Sequence, residues 1–322
     1  MRDDLPAAFE RARSRLAFVP AHVGVIVIAI IAIARGWVPW FALPLVSLAI
    51  GASFAGLTFV AHEALHGGIV QSKRWQYAIG WLGFLPFVVS PRLWIAWHNG
   101  AHHARANLPG DPDGYPTLEQ YRSRRSTRFS VDTFSLGGRR IRGLLSLVLG
   151  FTVQSADQLI TAHRRGFLTA PQHARAIADT VLGLAIWASV AALVGFVPFL
   201  FAFALPLLVA NACVMAFILT NHSLSPRVDV NDPLASGLTV TTPRIVEWLT
   251  LGFGFHVEHH LFPAMSTRHA PRIQAAVRAR WPERYRSMSL AEALRRLYRG
   301  ARVYKTATTL YDPRTGEEHA TL

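Results

Sequence analysis

Polar and apolar positions are distributed unevenly along this chain. Residues 16–34 carry one interior histidine, His22, and otherwise no strongly polar side chain, and residues 38–61 are uncharged throughout. Residues 177–194 hold a single acid, Asp179, near their start, and residues 196–220 are again uncharged. Each run is about 18–25 residues, enough for a helix to cross a hydrocarbon layer of about 30 Å. Paired by short turns, the four runs predict two transmembrane hairpins. The first is not read as a cleaved signal, because about fifteen residues precede it and no small-residue cleavage site follows it. A shorter apolar stretch at residues 77–90 is interrupted by Gly80, Gly83 and Pro86, which suits a re-entrant or interfacial helix. Residues 144–160 are moderately apolar but carry Gln154, Asp157 and Gln158, so they are expected to lie along the membrane surface.

The expected fold is therefore an all-α integral membrane protein. Four transmembrane helices in two hairpins (about 16–34, 38–61, 177–194 and 196–220) carry a cytosolic helical cap made from about 62–176 and 221–300. A tail at 301–322 completes one domain over 1–322. Composition agrees, with 51% hydrophobic and 16% charged residues. The formal charge of +14 gives the orientation. The first turn holds only Arg35 and the second none, while arginines crowd the N-terminus, the stretch 73–175 and the chain after Arg268. By the positive-inside rule both termini and the cap are cytoplasmic, as in the plasma (inner) membrane of a bacterium. A nucleic-acid partner is not expected, since the basic residues are interleaved with apolar spans and form no nucleic-acid motif. The lone Cys213 lies within the fourth run as a small packing residue. Residues 1–15 read as an amphipathic lead-in, and Ser289-x-x-Glu292 as a helix-opening capping box.

Eight of the fourteen histidines fall into three clusters: His62-Glu63-Ala64-Leu65-His66, His98-Asn99-Gly100-Ala101-His102-His103 and His256-Val257-Glu258-His259-His260. Spacings of three and four place imidazoles on one helical face. At 3.6 residues per turn, His103 is expected to project about 100° beyond His102. Histidines aimed in two directions suit two metals. His222, after the fourth run, makes a ninth candidate, with helix capping as its other reading. Nine nitrogens suit iron, copper, nickel or zinc rather than magnesium or calcium. Glu63, Glu258 and Asp113 are candidates to orient imidazole N–H groups, although solvation or capping would also explain them. Trp94 and Trp97 read as interfacial anchors. His22, His163, His173, His269 and His319 lie outside every cluster and read as structural or surface residues. Taken alone, His62-Glu63-x-x-His66 matches a zinc-protease pattern, but that leaves six clustered histidines without a role.

The order H-x3-H, H-x3-HH, H-x2-HH around two hairpins resembles the membrane-bound fatty-acid desaturase superfamily. The flanks resemble it too: His66-Gly67, Trp97-His98 leading to Asn107 and Asp111-Pro-Asp113, and Gly254-Phe255-His256 through His260-Leu-Phe-Pro263. The resemblance covers roughly residues 40–300. It implies four transmembrane helices, a cytosolic cap with a di-iron centre, molecular oxygen and two electrons per turnover. By it the eight clustered histidines become iron ligands, His222 an additional ligand, and Asn221 the holder of a metal-bound water. The first expectation is a fatty-acyl desaturase acting on an acyl-lipid or acyl-CoA. Hydroxylation or ketolation of a lipid, carotenoid, sphingolipid or alkane stays open, as does a non-catalytic metal or lipid binder. With no His-Pro-Gly-Gly motif and no four-cysteine set, electrons are expected from a separate ferredoxin or cytochrome with its reductase, drawn to the basic face.

Overall fold

The computed structural model describes residues 6–300 and 302–322, so the first five residues of the lead-in fall outside it. Helix α1 (Phe18–Ala34) and helix α2 (Leu43–His66) form the first hairpin. Val25, Ile28 and Ile31 of α1 are exposed while Ile26 and Ile33 are buried, the pattern of a helix with lipid on its outer face. Helix α2 is the central post, buried without a break from Ser53 to Leu65. Around it pack α1, α3 (Lys73–Phe84) and α6 (Leu205–His222). The approach of α3 needs Gly83, because a Cβ there would fall 2.5 Å from the Leu57 carbonyl oxygen and 2.6 Å from Ala61 Cβ.

Beyond α3 the chain doubles back. Its two apolar arms, Lys73–Phe87 and Pro91–Arg105, meet at 102°. Val88 takes a φ of +52°, and Ser90 Oγ then accepts from the Arg92 N–H to open the next helix. The bend fits either a broken span or a re-entrant loop, and it returns His98 to the end of α2. It also explains the lone acid of the third run. Asp179, on α5 (Ala170–Val194), accepts hydrogen bonds from Tyr77 (2.5 Å) and Ser90 (2.6 Å), tying α5 to the bend.

Among the described residues, five helices are long and apolar enough to cross a membrane: Pro6–Ala34, Trp40–His66, Ile141–Thr161, Ala170–Val194 and Phe196–His222. The sequence reading expects four. The additional one contains α4 (Leu145–Thr161), whose mean hydropathy of 1.3 is the lowest of the five. Helix α4 is fastened to α6 by polar contacts, Thr152 N–H donating to Asn211 Oδ1 at 3.0 Å and Asn211 Nδ2 to Thr152 Oγ1 at 2.9 Å.

The chain is mostly helical, as expected, and the remainder adds a few short strands to the helices. Strand β1 (Thr239–Thr241) pairs in parallel with β2 (Ser287–Ser289), bracketing α7 (His256–Leu261) and α8 (Ala270–Arg280). Helix α9 (Leu290–Arg299) opens where Ser289 Oγ accepts from the Glu292 N–H, as the capping box predicts. The expected tail forms a three-stranded antiparallel sheet of β3 (Val303–Tyr304), β4 (Thr309–Tyr311) and β5 (Glu318–Ala320). Buried Arg302 donates to Asp312 at 2.9 Å, and Tyr304 OH to the Ser225 carbonyl at 2.6 Å, so this sheet seals the cap just beyond α6. The lead-in is also docked rather than peripheral: Ala12 N–H reaches the Gly68 carbonyl at 3.0 Å, and Phe9 packs edge-on against Phe262.

Candidate metal centre

His62 and His66 occupy the last turn and a half of α2, and Gly67, at φ +90°, ends that helix at once. His222 is the last residue of α6, and His256, His259 and His260 fill the short helix α7. The second cluster departs from the expected geometry, because Ile95–His102 is a π-helix. Its i→i+5 register aligns His98 with His103, whose Nε2 atoms lie 3.2 Å apart, so His103 is not turned away from His98. His102, one residue earlier, still stacks on His98 at 5.2 Å, and the ligand atoms of His98, His102 and Asp113 lie within 4.8 Å of one another.

The nine imidazoles fall into two groups. His62, His66, His98 and His259 bring their ligand atoms within 4.8 Å of one another, and so do His102, His222, His256 and His260. His103 lies between them, 3.1 Å from His259 Nε2 and stacked on His260 at 4.2 Å. Further Nε2 pairs are His62–His98 and His222–His260, both at 3.2 Å, and His222–His256 at 2.5 Å. Nitrogens bound to one metal at about 2.0–2.1 Å sit roughly 3.0–3.4 Å from each other. Most of these separations are such polyhedral edges. Neutral imidazoles aiming their lone pairs at common points fit metal cations, and the donor set fits iron.

The outer nitrogens show which polar neighbours matter. His102 Nδ1 lies 2.9 Å from Asp111 and 3.5 Å from Asp113. His222 Nδ1 lies 2.8 Å from the Ser236 carbonyl, and His256 Nδ1 lies 3.0 Å from the amide of Asn221. A His256 that binds metal through Nε2 carries its proton on Nδ1, so the Asn221 oxygen must face it. Asn221 therefore meets the imidazole of His256 through one end of its amide. Two expected orienting groups do not touch any histidine. Glu63 accepts from Arg15, Ser266 and Thr267, and Glu258 from Thr239 and Tyr285. With Glu63 engaged there, the zinc-protease arrangement loses its base. Asp113 does approach His102, and it also accepts from Trp97 Nε1 and Gln154 Nε2, each at 2.7 Å.

Trp94 and Trp97 are not interfacial anchors, being 3% and 2% exposed. Trp94 stacks on His98 at 4.4 Å and packs edge-on against His62 and His66. Asp111, Trp94, Gln154 and Arg15 are thus the site residues that the sequence reading passed over. Asp111 and Trp94 carried a signal in their nearness to the second cluster; Gln154 and Arg15 carried none. His163, His173 and His269 bond to backbone carbonyls, as structural histidines do.

Burial opposes a charge on His102, yet Asp111 and Asp113 raise its pKa to about 9. The same negative field favours a metal cation. Burial, reinforced by Asp111, pushes Asp113 up to about 6. Both groups border a small cavity of about 50 Å³, walled by Phe59, Phe84, Trp94, Val214 and Phe253 and floored by His62, His98, His222 and His256. An apolar cavity over two histidine groups points to an apolar substrate. A sequence model of the fatty acid desaturase family matches residues 9–291.

The chain belongs to the fatty acid desaturase family.

Among desaturase relatives, it is 22% identical to an sn-1 oleoyl-lipid 12-desaturase of Arthrospira platensis over 260 residues, 74% of this chain and 71% of that one. It is 35% identical to a dihydrorhizobitoxine desaturase of Bradyrhizobium elkanii over 95 residues, 29% of this chain and only 26% of the relative. The desaturase family suggests an oxidoreductase, and the apolar helices suggest a membrane protein.

Proposed function

We propose that this protein is a di-iron, oxygen-dependent fatty-acyl desaturase acting on an acyl-lipid or acyl-CoA. The observation that carries this reading is the pair of four-histidine groups flooring one narrow apolar cavity. His62, His66, His98, His103 and His259 would hold one iron, and His102, His222, His256 and His260 the other. With oxygen, two electrons and two protons, such a pair would supply the oxidising power to remove two hydrogens from adjacent methylenes, leaving a double bond and two waters. The chain's own contribution is placement. Phe59, Phe84, Val214 and Phe253 hold an alkyl chain by apolar contact and exclude water. Trp94 fixes the plane of His98, and Asp111, Ser236 and Asn221 fix those of His102, His222 and His256.

The proposed topology is four spans with the termini and the centre cytoplasmic. Ser146 and Gln158, near the two ends of α4, line one cavity together with Asp113, Leu219 and Ser223, which favours α4 lying at the level of the histidines. Electrons would come from a separate acidic ferredoxin or cytochrome with its reductase, attracted to exposed Arg122, Arg124 and Arg125. Neutralising these three should raise the apparent KM for the carrier more than that for the lipid. A second reading, hydroxylation or ketolation, is favoured by Asp113 and Gln154, polar groups in the cavity wall that suit an oxygenated carbon. Mass spectrometry of lipids from a host expressing the wild type or His259→Ala decides. Loss of two hydrogens in the wild type alone supports desaturation, gain of oxygen supports the second reading, and identical profiles exclude both.

A further inference from the structure

We propose that the two histidine groups hold their metals unequally: the His102–His222–His256–His260 group tightly, the His62–His66–His98–His259 group labilely. This rests on the two-metal reading above. The difference lies in the outer nitrogens. In the first group three of four imidazoles have Nδ1 held by protein, through Asp111 at 2.9 Å, Ser236 at 2.8 Å and Asn221 at 3.0 Å. Among the described residues, no imidazole of the second group has a protein hydrogen bond at Nδ1; His62, His66 and His98 are placed by packing on Trp94, and His62 also on Phe253. A hydrogen-bonded outer nitrogen fixes the tautomer, orients the ring and makes the ligand more basic. Loss of one such partner typically costs about 10–100-fold in metal affinity.

Charge and access act in the same direction. Asp113 lies near both groups, its carboxylate and the ligand atoms of His98 and His102 falling within 4.8 Å of one another, but Asp111 adds a second carboxylate at 2.9 Å from His102, so the first group has the greater negative charge to offset a dication. All four of its histidines are buried. His66 and His98 of the second group are only partly buried. His66 also opens onto a surface cleft of about 590 Å³ whose charged lining residues are Arg11 and Lys73. Those cations disfavour a metal ion nearby and give water or a chelator a route to it.

The test uses the full-length protein in detergent, loaded with ferrous iron without oxygen and counted by elemental analysis. A count near two must precede the rest; a lower count after full loading overturns the two-metal reading itself, before release is measured. The ferrous chelator ferrozine is then added in excess and the coloured complex followed in time. The wild type should release iron in two phases, one iron in each. His66→Ala should lose the fast phase and keep one slowly released iron. Asp111→Ala should quicken the slow phase by about 10–100-fold while leaving the fast phase unchanged, and Asp111→Asn should restore part of the difference. Release of both wild-type irons at one rate overturns the proposal, as does an Asp111→Ala effect confined to the fast phase. If Asp111→Ala does not fold, the wild-type and His66→Ala traces decide alone.

Discussion

Arg15 is expected to clamp the helix end that presents His62 and His66. Its guanidinium donates to Glu63 and, at 2.6 Å, to Thr267, while Ser266 and Thr267 also donate to Glu63. Glu63 is 4% exposed and Arg15 11%, so this is a buried pair joining the lead-in, α2 and the segment after α7. Replacing Arg15 with methionine keeps the apolar stem but strands a carboxylate among two hydroxyls. Leaving one member of a buried pair unpaired costs about 3–5 kcal/mol. The hydroxyls Ser266 and Thr267 remain, so the lower end of that range is expected. Glu63→Gln on the wild-type background should also destabilise, by stranding Arg15, but less, because the guanidinium can swing toward solvent. Combining Arg15→Met with Glu63→Gln removes the charge problem and leaves roughly the loss of one or two neutral hydrogen bonds, about 1 kcal/mol each. The double variant should therefore be more stable than Arg15→Met alone, a coupling at the upper end of the usual 0.5–3 kcal/mol or so for residues in contact. Thermal unfolding in detergent, followed by intrinsic tryptophan fluorescence, gives the four corners of the cycle. An apparent Tm for Arg15→Met lowered by roughly 5–15 °C is expected, with partial recovery in the double variant. Additive losses, or an Arg15→Met protein as stable as wild type, would refute the clamp.

Gly83→Ala should cost about 1–3 kcal/mol, because its Cβ would meet the α2 backbone at 2.5 Å and cannot be accommodated by a side-chain rotation; a lowered Tm with reduced iron loading checks it. Asp312 gives a pH prediction. Burial raises its pKa, but the Arg314 backbone N–H and the Arg302 guanidinium outweigh that and hold it below the ordinary range. A depressed carboxyl adds stability above the unfolded value of about 3.9, and loses it as pH falls through the lowered folded value. Amide exchange in Val303–Tyr311 should therefore quicken below about pH 4 in the wild type, whereas Asp312→Asn should be quicker already at neutral pH and insensitive to that drop. For topology, cysteines at Trp37 and Phe196, 72% and 75% exposed, should label from outside in a Cys213→Ser background, and cysteines within residues 119–128 only from inside. External labelling of 119–128 would place the cap on the other face.

The hydrophobic pattern by itself determined the helices around the centre. The apolar runs at 16–34, 38–61, 177–194 and 196–220 favour helices whatever packs beside them, because such surface must be kept from water and its pattern is local. The histidines were legible for a related reason: metal chemistry needs particular residue types at short, fixed spacings. Even so, the spacing alone did not show that Ile95–His102 winds as a π-helix, which brings His103 Nε2 within 3.2 Å of His98 Nε2. The hydrogen-bond partners of the imidazoles were decided only by the tertiary structure. Asn221 reaches His256 across 35 residues and Ser266 reaches Glu63 across 203, and nothing in a linear pattern encodes which polar group will close such a gap. The same holds for the tail. Its strands are two or three residues long, too short for an alternation to register, and they persist because Arg302, Tyr304 and Leu310 find a buried place against the cap. Sequence specifies what each segment must hide from water. Only the assembled fold specifies which buried polar groups then satisfy one another.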